Sequence, residues 1–406
     1  MKNPKIIASS GQRGDKVRSD CFCQIETNYS EGNEILIKSK VEVMYGKSIH
    51  KLASDIIEYF GIKNSKILIE DSGALPFIIA ARIECAINRA GLGNGKEYLL
   101  PINKKNTYAT AIDRGRRSRL YLPGNEPKFF INAGLHSPDG IILDLEDSVA
   151  PSEKDAAQLI VRNALRSVDF FGAERMVRIN QFPRGLEDLK YIVPHNVNVI
   201  LLPKAESADS IKTMEEEVEK LKKQHEVKNE IYFMPILESA QGIINAFEIA
   251  KASKKNCALA IGLEDYTADI GTQRTAEGRE SYFARTMLVN AAKAAGIQAI
   301  DTVFSDVNDM EGLRISVLEA KSIGFEGKGC IHPRQIKVIH EAFVPTFDEI
   351  EKAKKIVTAF DDAKKKGLGV IALGSKMIDA PVVKRAQNTI KLAIENKLIP
   401  KNWNKN

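Results

Sequence analysis

The residues best suited to chemistry are carboxylates that close short apolar segments. Asp144, Glu146 and Asp147 end GIILDLED, Glu238 ends IYFMPILE, Glu264 and Asp265 end ALAIGLED, and Asp301 falls within AIDTVF. Cationic and neutral polar groups close the others: Arg178 and Asn180 in RMVRIN, Lys204 in VNVILLPK, His332 in GKGCIHP. Carboxylates brought to one rim repel each other unless a cation sits among them. All-oxygen ligation suits Mg²⁺, which takes one or two carboxylates and completes its shell with water and substrate oxygens. A hard divalent ion held by Glu238 and Asp265 is therefore the first reading, and salt bridges to Arg178 and Lys204 are the alternative. Arg178 suits a bidentate grip on a substrate carboxylate, or else an internal ion pair. Lys204 is open to a Schiff-base role, but Glu206 nearby offers a simple ionic partner. His332 is a possible base or ligand; a hydrogen-bonded histidine that fixes its loop is the preferred reading. The basic stretch RGRRSRLYLPGNEPKF (114–129) reads either as a solvated face or as a phosphate-binding rim for a nucleotide-like handle.

Something must bring these segment ends together. Eight short apolar segments, each followed by a helical stretch, run from residue 118 to 333. That rhythm predicts an α/β fold, a closed (β/α)₈ barrel, whose chemistry gathers at the C-terminal ends of its strands. An open doubly wound sheet is the alternative, but no G-x-G-x-x-G loop follows the first segment. Ahead of the barrel, 21–27, 33–40 and 66–71 alternate like strands, and 45–60 and 75–91 carry helical apolar faces. Residues 1–20 read as a flexible arm. The expected organisation is a small α+β domain over 1–95, a linker over 96–113, the barrel over 114–344 and a C-terminal helical extension over 345–406. That extension is free to cover the barrel mouth or to reach a neighbouring subunit.

Composition narrows the function. A formal charge of +6 over 406 residues does not suggest a nucleic-acid partner. The five cysteines are scattered without metal-site spacing, which fits a reducing cytoplasm. The N-terminus lacks a signal-peptide apolar stretch, and no run of about 18 apolar residues suggests a membrane helix.

The motifs RSRLYLPGNEP, GIILDLEDSVAP, VRIN, LLPKAES, PILESAQGI, GLEDYTADIG, RTAEGRE, GFEGKGCIHPRQI and GSKMIDAPVV occur in order across 117–400. That region resembles the citrate lyase β subunit and the wider citrate lyase/malyl-thioester lyase family. The first ~95 residues, best at VEVMYGKSIHKLASDIIEYFGI and EDSGALPFIIAARIECAINRA, resemble the citrate lyase γ subunit, an acyl carrier protein. The chain thus looks like a carrier fused to a lyase. The resemblance implies Mg²⁺ ligation by Glu238 and Asp265, substrate-carboxylate binding by Arg178, and proton handling by Asp379 of a neighbouring subunit. It places Arg119 and Asn125 near the thioester cofactor. It also implies phosphoribosyl-dephospho-CoA on a carrier serine, which would make the chain a phosphoprotein. Ser19, before Asp20 in KVRSDC, is the candidate, displaced by one residue from the family's spacing; Ser9 and Ser10 are alternatives. The implied reaction is cleavage of citryl-S-carrier to oxaloacetate and acetyl-S-carrier, in a homo-oligomer, commonly a trimer, with a citrate lyase α subunit as the acyl-transferring partner. Cleavage of a related citramalyl- or malyl-type thioester is the second enzymatic reading, and a non-catalytic carrier and scaffold is the third.

Overall fold

Alternation in Cys21–Thr27 and Ser65–Asp71 turns Cys21, Cys23, Ile25, Ile67 and Ile69 to one buried face, which two amphipathic helices cover. The computed structural model describes residues 5–29, 32–365, 371–373 and 376–404. Its N-terminal unit comprises β1 (Ile7–Ser10), β2 (Cys21–Thr27), β3 (Glu34–Ser39), α1 (Glu42–Phe60), β4 (Ser65–Asp71) and α2 (Pro76–Arg89). The sheet order is β1-β2-β4-β3, with β3 parallel to β4 and the other pairs antiparallel. Gly61 ends α1 with φ 69°, a left-handed cap that glycine adopts without strain. The expectation of a flexible arm over 1–20 is corrected at Ile7–Ser10, which pairs with Cys23–Glu26 as an edge strand. Four residues containing two serines are too short to display a period.

The barrel strands are β5 (Ser118–Pro123), β6 (Gly140–Asp144), β7 (Glu174–Arg178), β8 (Val199–Leu202), β9 (Tyr232–Leu237), β10 (Ala258–Ile261), β11 (Gln298–Asp301) and β12 (Gly327–Cys330). All pair in parallel, and β12 pairs with β5, so the sheet closes and the open-sheet alternative falls away. Inward residues such as Ile142, Met176, Leu201, Met234 and Ile236 fill the interior. The outer layer is α3 (Lys154–Ser167), α4 (Arg184–Ile192), α5 (Ala208–Gln224), α6 (Ala240–Ile244), α7 (Ala246–Lys251), α8 (Leu263–Asp269), α9 (Arg279–Ala295), α10 (Met310–Ile323) and α11 (Pro333–Phe343).

The N-terminal unit is packed onto this layer. Phe77, Ile78, Ala81 and Cys85 of α2 share one apolar core with α3. Inside the contact, Arg162 grips Glu84 with Nη1 and Nη2 at 2.8 and 2.7 Å, both side chains at most 1% exposed. Arg89 pairs with Asp155 at 2.6 Å, and Asn163 donates to the Phe77 carbonyl at 3.0 Å. Segment 96–113 is strapped rather than loose. The Asn103 N–H reaches the Arg166 carbonyl at 2.7 Å, the Tyr108 hydroxyl reaches that of Ala173 at 2.5 Å, and Arg116 holds the Ala111 and Ile112 carbonyls.

Beyond the barrel, α12 (Phe347–Lys365), the antiparallel pair β13 (Ile371–Leu373) and β14 (Lys376–Ile378), and α13 (Ala380–Glu395) form the C-terminal extension. Ile356, Val357, Val383, Ala386 and Ile390 give it an apolar cluster of its own. The short β pair falls in the glycine-rich stretch 369–381, where no strand was expected; positions 369, 370, 374 and 375 lie outside the described residues. All five cysteines are free and buried. Among the described residues no helix is long and apolar enough to cross a membrane.

The Arg162–Glu84 pair generates a stability prediction. Replacing one member strands a buried charge, so Arg162→Met should lower the unfolding free energy by about 3–5 kcal/mol in urea. Protease sensitivity in 96–113 should rise with it. The double variant Arg162→Met/Glu84→Met should recover most of the loss, because the desolvation cost goes with both charges.

Candidate active site

The C-terminal ends of the strands enclose a cavity of about 390 Å³, whose walls include Arg119, Tyr121, Asp144, Arg178, Glu238 and Asp265. Glu238 follows β9 directly. It is 4% exposed, and its Oε2 has no hydrogen-bond partner. The neighbouring strand makes room for it with Gly262, where a Cβ would lie 2.7 Å from Glu238 Cγ. Burial pushes the Glu238 carboxyl up to about 8, Arg178 opposes the rise, and Asp265 adds to it. Asp265, in the first turn of α8, pairs with Lys204 at 3.0 Å.

A buried carboxylate oxygen without a partner, beside a second carboxylate, is a donor set that fits a hard divalent cation. Among the described residues no group of three or more His, Cys, Asp and Glu side chains is placed to hold a metal. Glu238 and Asp265 would thus supply two ligands and leave the other positions to water or substrate, which is the Mg²⁺ habit.

Arg178, at the end of β7, is heavily engaged within the chain. Its Nε and Nη2 each reach Asp144 at 2.7 Å, Nη1 lies 2.9 Å from Glu146 and 3.8 Å from Asp147, and the guanidinium carbon sits 5.4 Å from the Tyr121 ring centroid. Burial alone would raise the Asp144 carboxyl, but the Arg178 contact outweighs it and holds Asp144 below the usual carboxylate range. The internal ion pair is therefore formed, with the guanidinium still at the cavity wall.

Several other strand-end residues are structural. Asn180 donates its N–H and Nδ2 to Asp188 at 2.7 and 2.8 Å. His332 caps α11: its Nδ1 accepts from the Arg334 N–H at 3.2 Å, so the loop-fixing reading describes it. Glu264 pairs with Arg274 at 2.6 Å. Asp301 is gripped by Lys328 at 2.5 Å and Arg285 at 3.3 Å. The expected Lys204–Glu206 pair is absent, because Glu206 accepts from the Ser239 hydroxyl at 2.7 Å and Lys204 turns to Asp265 instead.

The basic stretch 114–129 is neither a solvated face nor a phosphate rim at its arginines. Arg116 is buried on Glu174 at 2.8 Å, Arg117 pairs with Asp139 at 2.9 Å, and Arg114 donates to the Gly172 carbonyl at 2.7 Å. These three precede β5, at the end of the barrel opposite the mouth. Arg119 turns into the barrel interior, 1% exposed. Asn125 follows β5 at the mouth; its Oδ1 is buried without a partner, and its carbonyl accepts from Arg82 Nη2 at 3.4 Å.

Ser19 is half-buried with φ 51°, and its N–H donates to the Ser72 carbonyl at 3.0 Å. Ser10 is 1% exposed and 3.5 Å from Arg82, so it is closed to modification. Ser9 lies within β1, and its carbonyl accepts from Arg89. Asp379 caps α13, accepting from the Val382 N–H at 3.2 Å, and does not line the cavity of its own barrel. Sequence reasoning missed Tyr121, Lys328 and Gly262. The alternation Arg119, Tyr121 along one strand was the available signal for the first; nothing marked the other two.

Comparison with known proteins agrees with this geometry. Residues 117–333 match the family model described as HpcH/HpaI aldolase/citrate lyase, and residues 11–90 match the model for malonate decarboxylase delta subunit. The chain is 40% identical over 295 residues to citrate lyase subunit beta of Leuconostoc mesenteroides subsp. cremoris, covering 72% of this chain and 98% of that protein. It is 34% identical over 290 residues to mitochondrial citramalyl-CoA lyase of Homo sapiens, covering 68% and 85%. Among solved structures, CitE of Mycobacterium tuberculosis in complex with magnesium, acetoacetate and coenzyme A superposes with a TM-score of 0.58 at 30% identity, over 69% of this chain and 98% of that one. A citrate lyase beta subunit from the same organism, complexed with oxaloacetate and magnesium, gives a TM-score of 0.50 at 30% identity, over 58% and 100%. The chain belongs to the HpcH/HpaI aldolase/citrate lyase family, as a citrate lyase β-like carbon–carbon lyase barrel with an acyl-carrier-like domain fused to its front.

Proposed function

We propose that the chain cleaves a citryl group held as a thioester on its own carrier domain, giving oxaloacetate and an acetyl thioester. The observation that carries this reading is that the carrier loop 12–20 packs against the loop leaving β5, the strand whose end walls the cavity holding the buried Glu238 carboxylate. Gln12 donates to Glu126 at 3.2 Å and Arg82 reaches the Asn125 carbonyl, both in the loop that leaves β5 at the cavity wall. The relatives support the substrate: one is a citrate lyase beta subunit, and a solved one was captured with oxaloacetate and magnesium. Cleavage of a citramalyl-CoA-type thioester is the second reading, favoured by the human relative. The fused carrier weighs against free CoA.

Magnesium bound by Glu238 and Asp265 would polarise the hydroxyl and carboxylate oxygens of the acyl group. Arg178, held in place by Asp144 and Glu146 against Tyr121, presents a fixed charge to the substrate carboxylate. Loss of the hydroxyl proton breaks the carbon–carbon bond, and the thioester spreads the resulting charge until a proton quenches it. Asp379 is assigned one of these proton steps in a neighbouring subunit's mouth. Its absence from its own cavity suits that arrangement, with a homotrimer as the expected assembly. Lys204 remains an ion-pair partner of Asp265 in this scheme, with no Schiff base.

On the carrier, Ser19 is the proposed attachment point of the phosphoribosyl-dephospho-CoA group, which would supply a flexible thiol arm. A cleft of about 370 Å³ between loop 12–20 and Glu126–Lys128 bears Asp15, Asp20 and Glu126 beside four cations; Arg13 and Lys128 are paired with Glu70 and Glu126, so Lys16 and Arg18 are the cations suited to its phosphates. Tethering keeps the acyl group at a high effective concentration beside the mouth. A citrate lyase α-type acyltransferase would load it.

Two experiments test this. In the metal-free chain Glu238 keeps its proton up to about pH 8, so Mg²⁺ must displace that proton to bind. Apparent Mg²⁺ affinity by calorimetry should rise with pH from about 6 to about 8 and level off above. Glu238→Gln should remove both the slope and the binding, and lower kcat by more than the ~100-fold that outer-shell changes reach. A wild-type affinity flat across that window would count against Glu238 as a ligand. Second, Gln12→Cys/Glu126→Cys bridged by a short bis-maleimide should crosslink within one chain at any protein concentration and keep its turnover. Turnover lost only on bridging would mean that the carrier has to leave the rim.

A further inference from the structure

Arg119 is a buried cation without a carboxylate. Its Nη1 lies 2.9 Å from Met234 Sδ, its Nη2 lies 3.3 Å from the Asp301 main-chain oxygen, and its Nε has no partner. Other arginines of equal burial are compensated: Arg82 by Asp20, Arg116 by Glu174, Arg162 by Glu84. Arg175 lacks a carboxylate too and leaves Nη1 without a partner, but its Nε and Nη2 reach the carbonyls of Asn196 and Tyr108 and its guanidinium lies 4.1 Å from the Tyr108 ring. The acid on the strand that approaches Arg119, Asp301, is already shared by Lys328 and Arg285. Arg285 also pairs with Glu319 at 2.9 Å, so the unmatched positive charge of the barrel floor is that of Arg119.

Burying such a charge costs several kcal/mol unless an anion meets it. Arg119 registers against Gly140 on β6 and Gly329 on β12, and these glycines make room chiefly for Met176 and Val303; a Cβ at Gly140 would lie 3.7 Å from Arg119 Cγ. Arg119 lines the same cavity as Arg178 and Glu238, with Tyr121 also in its wall. Tyr121 stands two residues after Arg119 on β5, with the Arg178 guanidinium carbon 5.4 Å from its ring centroid.

We propose that Arg119 is a specificity-determining residue that reads a second free carboxylate on the acyl group. This deepens, and rests on, the thioester-lyase reading of the mouth. A citryl thioester carries two free carboxylates, and a citramalyl thioester carries one. With one carboxylate at the rim beside Arg178, a second on a methylene arm reaches down to the floor, where only a cation would hold it. The substrate class is thus a hydroxy-acyl thioester with two free carboxylates, and the released oxo acid is a dicarboxylate.

The test uses the full chain with Mg²⁺ and citryl- and citramalyl-CoA as probes, which bypasses loading of the carrier. In Arg119→Met, the citryl-to-citramalyl ratio of kcat/KM should fall about 100-fold, the scale of one hydrogen bond to a charged group plus its desolvation. Most of the change should lie in KM for the citryl ester. Arg119→Lys should retain part of the preference, which also covers the case in which the methionine variant fails to fold. A purely structural arginine would lower both substrates together and leave the ratio unchanged, and that result overturns the proposal. Should the wild type cleave neither CoA ester, turnover requires the carrier-bound acyl group or the lyase reading fails, and both outcomes are separate from the role of Arg119. Calorimetric binding of oxaloacetate against pyruvate then decides for Arg119: a wild-type preference for oxaloacetate that Arg119→Met abolishes supports it, and equal affinities refute it.

Discussion

The mouth of the barrel is short of positive charge. Around Arg178 and Lys204 gather Asp144, Glu146, Asp147, Glu238 and Asp265. Arg178 settles most of that by itself: it ties the end of β7 to the end of β6, keeps Asp144 ionised, and lies against Tyr121. Glu238 it eases only in part: burial above all, with repulsion from Asp265 and Glu146 added, keeps that carboxyl raised. A divalent ion would convert the same repulsion into affinity. The opposite imbalance lies deeper, where Lys328 and Arg285 share the Asp301 carboxylate and Arg119 reaches only its main-chain oxygen. Rim and floor thus carry charge deficits of opposite sign within one cavity, a polarity that orients an elongated anionic ligand before any contact closes.

The carrier adds a constraint of geometry. Carrier modules are usually pictured as swinging on loose tethers. Here α2 shares a core with α3, a buried arginine–glutamate pair pins the contact, and the connecting segment is bonded along its length. The proposed arm on Ser19 would then have to supply the motion. Ordering the bulk of the tether during folding removes an entropy cost that a free domain meets at each encounter.

Much of this was legible in the sequence, for identifiable reasons. Parallel strands buried on both faces read as unbroken apolar runs that end on polar residues, so all eight barrel strands and the carboxylates at their ends could be found. Local patterning failed where partners are distant in sequence. Nothing near Lys204 shows that Asp265 will meet it, and nothing near Arg116 announces Glu174. The basic stretch was misread for this reason: a run of arginines looks the same whether each finds water or a buried acid across the barrel. Ile7–Ser10 and the β13–β14 pair were invisible because three or four residues are too few to display a repeated alternation.

The buried cysteines have a consequence for thioester chemistry. Burial pushes the thiols of Cys85, Cys257 and Cys330 up to about 12 and raises Cys21 and Cys23 as well. Transacylation needs a thiolate with access to the carbonyl, and none of these sulfurs offers either. An activated acyl group parked at the rim would therefore face no rival sulfur from the protein that carries it. Toward thioesters the polypeptide itself is a chemically silent background.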